Sequence, residues 1–314
     1  MKILTLLLTC VCALFGADYS IVFIHLGPKL PDYSIDSINQ AHLFNPNAKI
    51  YLLANEAALI NRVFENAIPV TIESIPRSAE HRDFIKRCNY PGDLWRYSSE
   101  RFLVLDDFLE QTRLESVFHL ENDVMLYADL SLMMPAFDKY KIGATFDNDV
   151  RCIPGFIYFK NSQAIKPLAK HFVSHFMALG QDMKVIADFK NTAGSYYIKS
   201  LPIIFPSYAS YYPLKSDKGH VAKNPASYSL NYDQFHSIFD AAAIGQYLGG
   251  IDPIHHNNGA GFVNESCVFN PSYFTYEWQR DDQGRKVPYL LFQNEKIRIN
   301  NLHIHCKNLK KFAS

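Results

Sequence analysis

The amino-acid sequence predicts an α/β fold with a mostly parallel central sheet flanked by helices. Short runs rich in β-branched and aromatic residues alternate with helix-periodic runs through the first half of the chain. Gly, Pro and Asn punctuate the junctions between them. The composition, 48% apolar and 20% charged, is ordinary globular, and 314 residues suit one large α/β domain or two small ones and are ample for a sizeable core.

The chain starts with Lys2, an apolar run from Ile3 to Phe15, then Gly16, Ala17 and Asp18. A basic start, a short apolar core and small residues before a cut form the layout of a secretory signal. Residues 1–17 are therefore expected to be a signal peptide and residues 18–314 a single domain, exported, secreted or lumenal. The run is too short to span a bilayer comfortably, so no integral membrane span is expected in the mature chain. A buried first strand or an uncleaved tether are the other readings. Thr9 disfavours a lipid anchor at Cys10.

Tyr19 to Leu26 (YSIVFIHL) reads as a buried strand that Gly27-Pro28 ends. Asp36 to Phe44 reads as a helix through Ile38, Ala41 and Leu43, stopped by Asn45-Pro46-Asn47. Lys49 to Ala54 is a second strand, Glu56 to Phe64 a second helix and Ile68 to Ile72 a third strand. This alternation implies parallel strands with right-handed crossovers and ligands at their carboxyl ends. The loops beginning at Gly27 and Asn55 are thus candidate nucleotide contacts, plain turn residues being the alternative.

Asp93 to Gln111 carries the helical stripe Leu94, Phe102, Leu105, Phe108 and Leu109. Ser116 to Leu120 is a short strand that ends in Glu121-Asn122-Asp123. Lys141 to Phe146 and Ile153 to Phe159 are further strands, with Pro154-Gly155 as a turn, and Ser162 to Ala178 is a helix. Gly194 to about Ser229 is rich in Tyr, Ser and Pro and reads as loops and short strands shaping an acceptor site. Phe235 to Leu248 returns to helix, closed by Gly249-Gly250. Val287 to Phe292 and Ile297 to His305 are strands before the basic tail Lys307 to Lys311.

Several function classes are disfavoured. The formal net charge is zero, which gives no global pull toward nucleic acid. No GxGxxG follows the first strand, and no GxxxxGK[ST] or GxSxG is present. Cys88, Cys152, Cys267 and Cys306 are scattered without a CxxC pair, against a zinc knuckle, although one or two disulfides stay open.

The strongest constellation is Glu121-Asn122-Asp123, two carboxylates at i and i+2 leaving an apolar strand. Mn²⁺ and Mg²⁺ take carboxylate and phosphate oxygens, and such an ion offsets the charge on a departing diphosphate. A capped turn with solvated acids is the bland alternative. His303 and His305 lie two apart on an expected strand and so share a face. His255-His256-Asn257-Asn258-Gly259 is either a polar acceptor-site loop or a turn.

The triplet resembles the DxD motif of GT-A glycosyltransferases, in the variant Glu121-Asn122-Asp123. Trp95 to Phe102, Ile153 to Phe159, Phe239-Asp240-Ala241-Ala242-Ala243 and Asn301 to Lys307 fall in the order of that family's other segments. The resemblance covers most of Tyr19 to Phe312. It implies a GT-A-like, Rossmann-type sheet, with a nucleotide-sugar half over about 18–160 and an acceptor-side half over 161–314. It implies a metal-dependent glycosyltransferase using a nucleotide-sugar donor, a UDP-sugar favoured, and a carbohydrate, lipid or protein acceptor. Glu121, Asp123 and one of His303 and His305 would hold Mn²⁺ or Mg²⁺. Gly27, Asn55, Asn122 and Lys307 would contact the donor. Arg101 would face the diphosphate or donor sugar, and Asp240 would contact sugar hydroxyls or act as base. Ala241 stands where the family often has a second polar partner. A non-catalytic nucleotide-sugar binder on the same fold, and a metal-dependent nucleotidyl- or phosphotransferase, are the alternatives.

Overall fold

A computed structural model describes residues 17–88, 93–194, 196–252 and 259–314. The expected leader, apart from Ala17, and His255, His256, Asn257 and Asn258 lie outside the described residues. No helix among the described residues is long and apolar enough to cross a membrane.

The first half of the chain builds the sheet that the alternation predicted. Strands β1 (Ser20–His25), β2 (Lys49–Ala54), β3 (Ile68–Thr71) and β4 (Val117–Leu120) pair in parallel in the spatial order β3-β2-β1-β4. Their crossovers carry helices α1 (Tyr33–Phe44), α2 (Glu56–Leu59), α3 (Ala79–Arg87) and α4 (Asp93–Thr112). Helix α2 stops at Leu59, short of the expected Phe64, because Asn61 takes a positive φ of 59° and turns the chain.

Beyond β4, the short strand β5 (Val124–Leu126) and helix α5 (Met134–Phe137) precede β6 (Ile142–Asn148) and β7 (Arg151–Phe159). Strand β7 enters the sheet antiparallel between β4 and β6. Helices α6 (Ser162–Leu179) and α7 (Asp182–Ala193) follow, then β8 (Ile198–Ser200), which closes the seven-stranded order parallel to β6. Pro154-Gly155 is not a turn. It lies inside β7 at a register shift, where Ala144 faces Ile157 but Thr145 faces Ile153. A bulge tolerates Pro, which has no N–H to give the ladder, and it frees the Gly155 carbonyl to accept from Glu121 N–H at 2.9 Å.

The second half holds α8 (Pro206–Tyr211), α9 (Tyr232–Phe235), β9 (Ser237–Ile238) and α10 (Ala243–Gly249). The single helix expected over Phe235 to Leu248 is therefore interrupted. Ser237 and Ile238 pair with β12 (Glu295–Ile299), and Ala242 turns at a φ of 64° before α10 starts. Strands β10 (Thr275–Arg280) and β11 (Lys286–Phe292) complete the four-stranded order β10-β11-β12-β9. The strand expected over Ile297 to His305 splits at Asn300 into β12 and β13 (Asn301–His303). Asn300 makes the crossing: its amide N–H donates to Ile238 O, its side chain donates to Ser237, and its carbonyl accepts from Tyr127 N–H. Strand β13 then pairs antiparallel with β5, beside the acid triplet.

Candidate active site

The acid triplet forms a tight turn between β4 and β5. Val124 N–H donates back to Glu121 O at 3.1 Å, and Glu121 N–H is held by Gly155 O at 2.9 Å. Asp123 O accepts from Ile304 N–H at 2.8 Å. The β13–β5 register sets His303 opposite Val124, so the imidazole comes over the turn. His303 Nε2 lies 3.2 Å from Glu121 Oε2 and 3.2 Å from Asp123 Oδ2. One ligand atom each from Glu121, Asp123 and His303 lies within 4.8 Å of the others. Lys307, in the left-handed region at a φ of 62°, brings its ammonium onto Asp123. Arg101 reaches from α4 to Glu121 at 2.5 Å and to Asp182, at the start of α7, at 3.0 Å.

Burial opposes ionisation of both acids, but their cationic neighbours outweigh it. Arg101 and His303 hold the Glu121 carboxyl below its usual range, and His303 and Lys307 hold Asp123 well below. Burial likewise opposes charge on His303, yet Asp123 and Glu121 raise it to about 9. The cluster is thus a preformed ionic knot in which three cationic side chains balance the carboxylates. Two carboxylates and an imidazole converging on one point fit a divalent ion of the Mn²⁺ or Mg²⁺ type. His303 Nδ1 and Asn122 Oδ1 are buried without a hydrogen-bond partner among the described residues.

These groups line a cavity of about 470 Å³ at the carboxyl ends of β1 and β4. Its walls include His25, Leu26, Tyr33, Asp182, Arg151 and Gln246. Asp182 escapes a sequence reading because α7 (DMKVIADFKNTA) carries a mixed charged pattern. Tyr33 and His25 carry no motif at all.

Glycosyltransferases are among the solved structures that this chain resembles. Mouse xyloside xylosyltransferase 1, apo form, aligns over 62% of this chain and 90% of its own, with a TM-score of 0.41 and 12% identity. The galactosyltransferase LgtC in complex with donor and acceptor sugar analogs aligns over 61% and 77%, with a TM-score of 0.35 and 14% identity. The Streptococcus pneumoniae glycosyltransferase GlyE aligns over 58% and 45%, with a TM-score of 0.36 and 13% identity. No protein-family model and no curated protein matches.

Other expected site residues are placed differently. His305 does not join the cluster. Strand β13 ends at His303, so the alternation that would have aligned the two rings stops, and His305 Nδ1 lies 3.9 Å from Asp252. His305 still lines the cavity, and burial, with His303 and Lys307 nearby, lowers its pKa to about 4. Asp240 is turned into the fold. Its carboxylate accepts from Ile244 and Gly245 N–H at 2.9 Å each and from His303 N–H at 3.0 Å. With those oxygens committed to backbone amides, Asp240 caps α10 and anchors β13, in place of the expected sugar contact or base.

Gly27 and Asn55 meet each other and do not line the cavity. Gly27 N–H donates to Asn55 Oδ1 at 2.8 Å, and Asn55 donates to Glu73 at 2.7 Å, bracing the loop after β1. Gly27 has a φ of 127°, which an L side chain rarely adopts. Asn122 does line the cavity, and its Nδ2 donates to Ile24 O at 3.2 Å. Arg101 lines it too, although its guanidinium is spent on Glu121 and Asp182. Cys88, Cys152, Cys267 and Cys306 are free thiols.

Proposed function

We propose that this chain is a metal-dependent glycosyltransferase of GT-A type. It would take a sugar from a nucleotide-diphosphate donor, a UDP-sugar favoured, and pass it to a carbohydrate, lipid or protein acceptor. The observation that carries this reading is the convergence of Glu121, Asp123 and His303, with Lys307 beside them, on one wall of a cavity of about 470 Å³. That volume is in the range of small-molecule sites.

Glu121, Asp123 and His303 would hold Mn²⁺ or Mg²⁺, which when bound offsets the charge that develops on the leaving diphosphate. His303 would serve as a ligand through Nε2 in its neutral form, and Lys307, now on Asp123, would be available to a phosphate oxygen of the donor. Arg101 keeps Glu121 in place, tied in turn to Asp182, so its role is positioning. Tyr33, which lines the cavity, would be available to stack on the base or ribose. Arg151, Gln246 and Asn264 line the same cavity. With residues 1–17 read as an export leader, the reaction would run in a lumen or outside the cell that makes the protein.

The test is sugar transfer and donor hydrolysis with UDP-, GDP- and CDP-sugars, with and without Mn²⁺. One donor class should turn over only with metal. Asp123→Asn should lower turnover on the order of 100-fold or more, as for loss of other charge-stabilising groups. Full metal-responsive activity in Asp123→Asn would sink the assignment. Release of pyrophosphate from a nucleoside triphosphate would move the nucleotidyltransferase reading ahead. Donor binding without turnover, over many acceptors, would favour a binder.

A further inference from the structure

A second group of metal-type ligands lies apart from the cavity, where α6 packs on α7. His171 and His175 sit on α6 four residues apart, so they occupy one helix face. Asp188 presents its carboxylate from α7. One ligand atom each from His171, His175 and Asp188 lies within 4.8 Å of the others.

The local hydrogen bonds set the tautomer of His175. Its Nδ1 lies 3.2 Å from His171 O, a carbonyl that only accepts, so Nδ1 is the donor and, in the neutral ring, Nε2 is the nitrogen left to bind a metal. The two imidazole rings stack at 3.9 Å and 16°, so their in-plane lone pairs run side by side and one ring has to turn for both to meet a single ion. His171 Nε2 meets Asp188 Oδ2 at 2.8 Å, so the carboxylate is already directed at a ring nitrogen. His171 packs against Phe189 at 5.3 Å between ring centroids, which fixes one ligand while its exposed neighbour His175 stays adjustable.

We propose that His171, His175 and Asp188 form a transition-metal site of the Zn²⁺ or Ni²⁺ class that staples α6 to α7. Two imidazoles, borderline nitrogen ligands, beside one carboxylate favour such ions over Mg²⁺ or Ca²⁺. Zinc holds N and O ligands at about 2.0–2.2 Å, so tetrahedral ligand atoms stand about 3.4 Å apart. Reaching that spacing takes the exposed His175 ring out of the stack and brings it, with Asp188, in from within 4.8 Å. The staple has a structural consequence. Helix α7 begins with Asp182, which holds Arg101, which holds Glu121. Fixing α7 on α6 therefore steadies the outer support of the cavity without entering it.

The test is calorimetric titration of the full, untagged chain with Zn²⁺ in an Asp123→Asn background, which disables the first metal cluster. One site is expected, and His175→Ala should weaken it at least tenfold. Asp188→Asn should weaken it as well, and Zn²⁺ should raise the melting temperature only where the site is intact. Because His175 is exposed, its replacement leaves the fold in place, and unchanged circular dichroism checks this. Zn²⁺ binding of equal affinity with and without His175, or no Zn²⁺ binding in the parent, overturns the proposal and leaves a His–Asp ion pair.

Discussion

At the scale of single residues, the His303 ring packs against a glycine, Gly155, that the sequence reads only as part of a turn. A Cβ at Gly155 would lie 2.8 Å from His303 Nδ1 and 3.2 Å from a Val124 methyl. The His303 ring cannot retreat freely, because Asp240 holds its backbone N–H and the ring is buried. Gly155→Ala should therefore push the imidazole off its aim and weaken Mn²⁺ binding about 10- to 100-fold, the range seen when support of a ligand is lost. Titration of Mn²⁺ against the variant, with its melting temperature near that of the parent, checks this. Unchanged affinity would mean that His303 is not a ligand.

At the scale of elements, two devices hold the site's supports. The first is the Asp240 cap, which accepts three backbone N–H groups where α10 meets β13. Asp240→Ala leaves buried amides without acceptors, each worth about 1–3 kcal/mol, so a loss of ~3 kcal/mol or more is expected in urea unfolding. A merely catalytic role would leave stability unchanged. The second joins α3 to α4. His81 Nδ1 lies 2.5 Å from Asp107, its Nε2 lies 3.3 Å from Glu100, and Asp107 also accepts from Ser78 N–H. Burial opposes charge on His81, but the hydrogen bonds to Asp107 and Glu100 outweigh it and raise its pKa above the usual 6.5. A folded pKa above the unfolded one means that the native state binds more protons in that window. The stabilisation is fully present below about pH 6.5 and is lost as pH rises through the raised value. His81→Gln should flatten this decline, as read from urea midpoints between pH 6 and 9; an unaltered slope would place the pH dependence elsewhere.

At the scale of the whole molecule, the site is assembled from chain segments far apart in sequence. Arg101 comes from α4, the acids from the β4–β5 turn, Asp182 from α7, and His303 and Lys307 from the end of the chain. The C-terminus is also pinned by Tyr127 OH donating to Phe312 O at 2.8 Å. Ligands that bridge these segments stabilise the native state by mass action, about 2.7 kcal/mol at a hundred times the dissociation constant. Mn²⁺ and the true donor together should raise the melting temperature by several degrees, and by more than the sum of each alone. Strict additivity would mean that metal and donor do not share a site.

Much of this was legible in the residues. The strands from Tyr19, Lys49 and Ile68 and the long helix from Asp93 were readable because buried strands and amphipathic helices write their period directly into the apolar pattern. The acid triplet was readable because two carboxylates stood at the end of such a strand. Helices α3 and α7 were not, since their charged residues face solvent and partner helices at once and blur the stripe. What the sequence determined by itself is a mostly parallel α/β sheet with Glu121 and Asp123 at the exit of one of its strands. Tertiary structure alone decided which histidine joins them, that Asp240 spends its charge on backbone amides, and that Gly27 and Asn55 brace a loop. The first two outcomes hang on a break at Asn300 and a bulge at Gly155, where long-range pairing of β13 with β5, and of β7 with β4 and β6, overrides the local pattern.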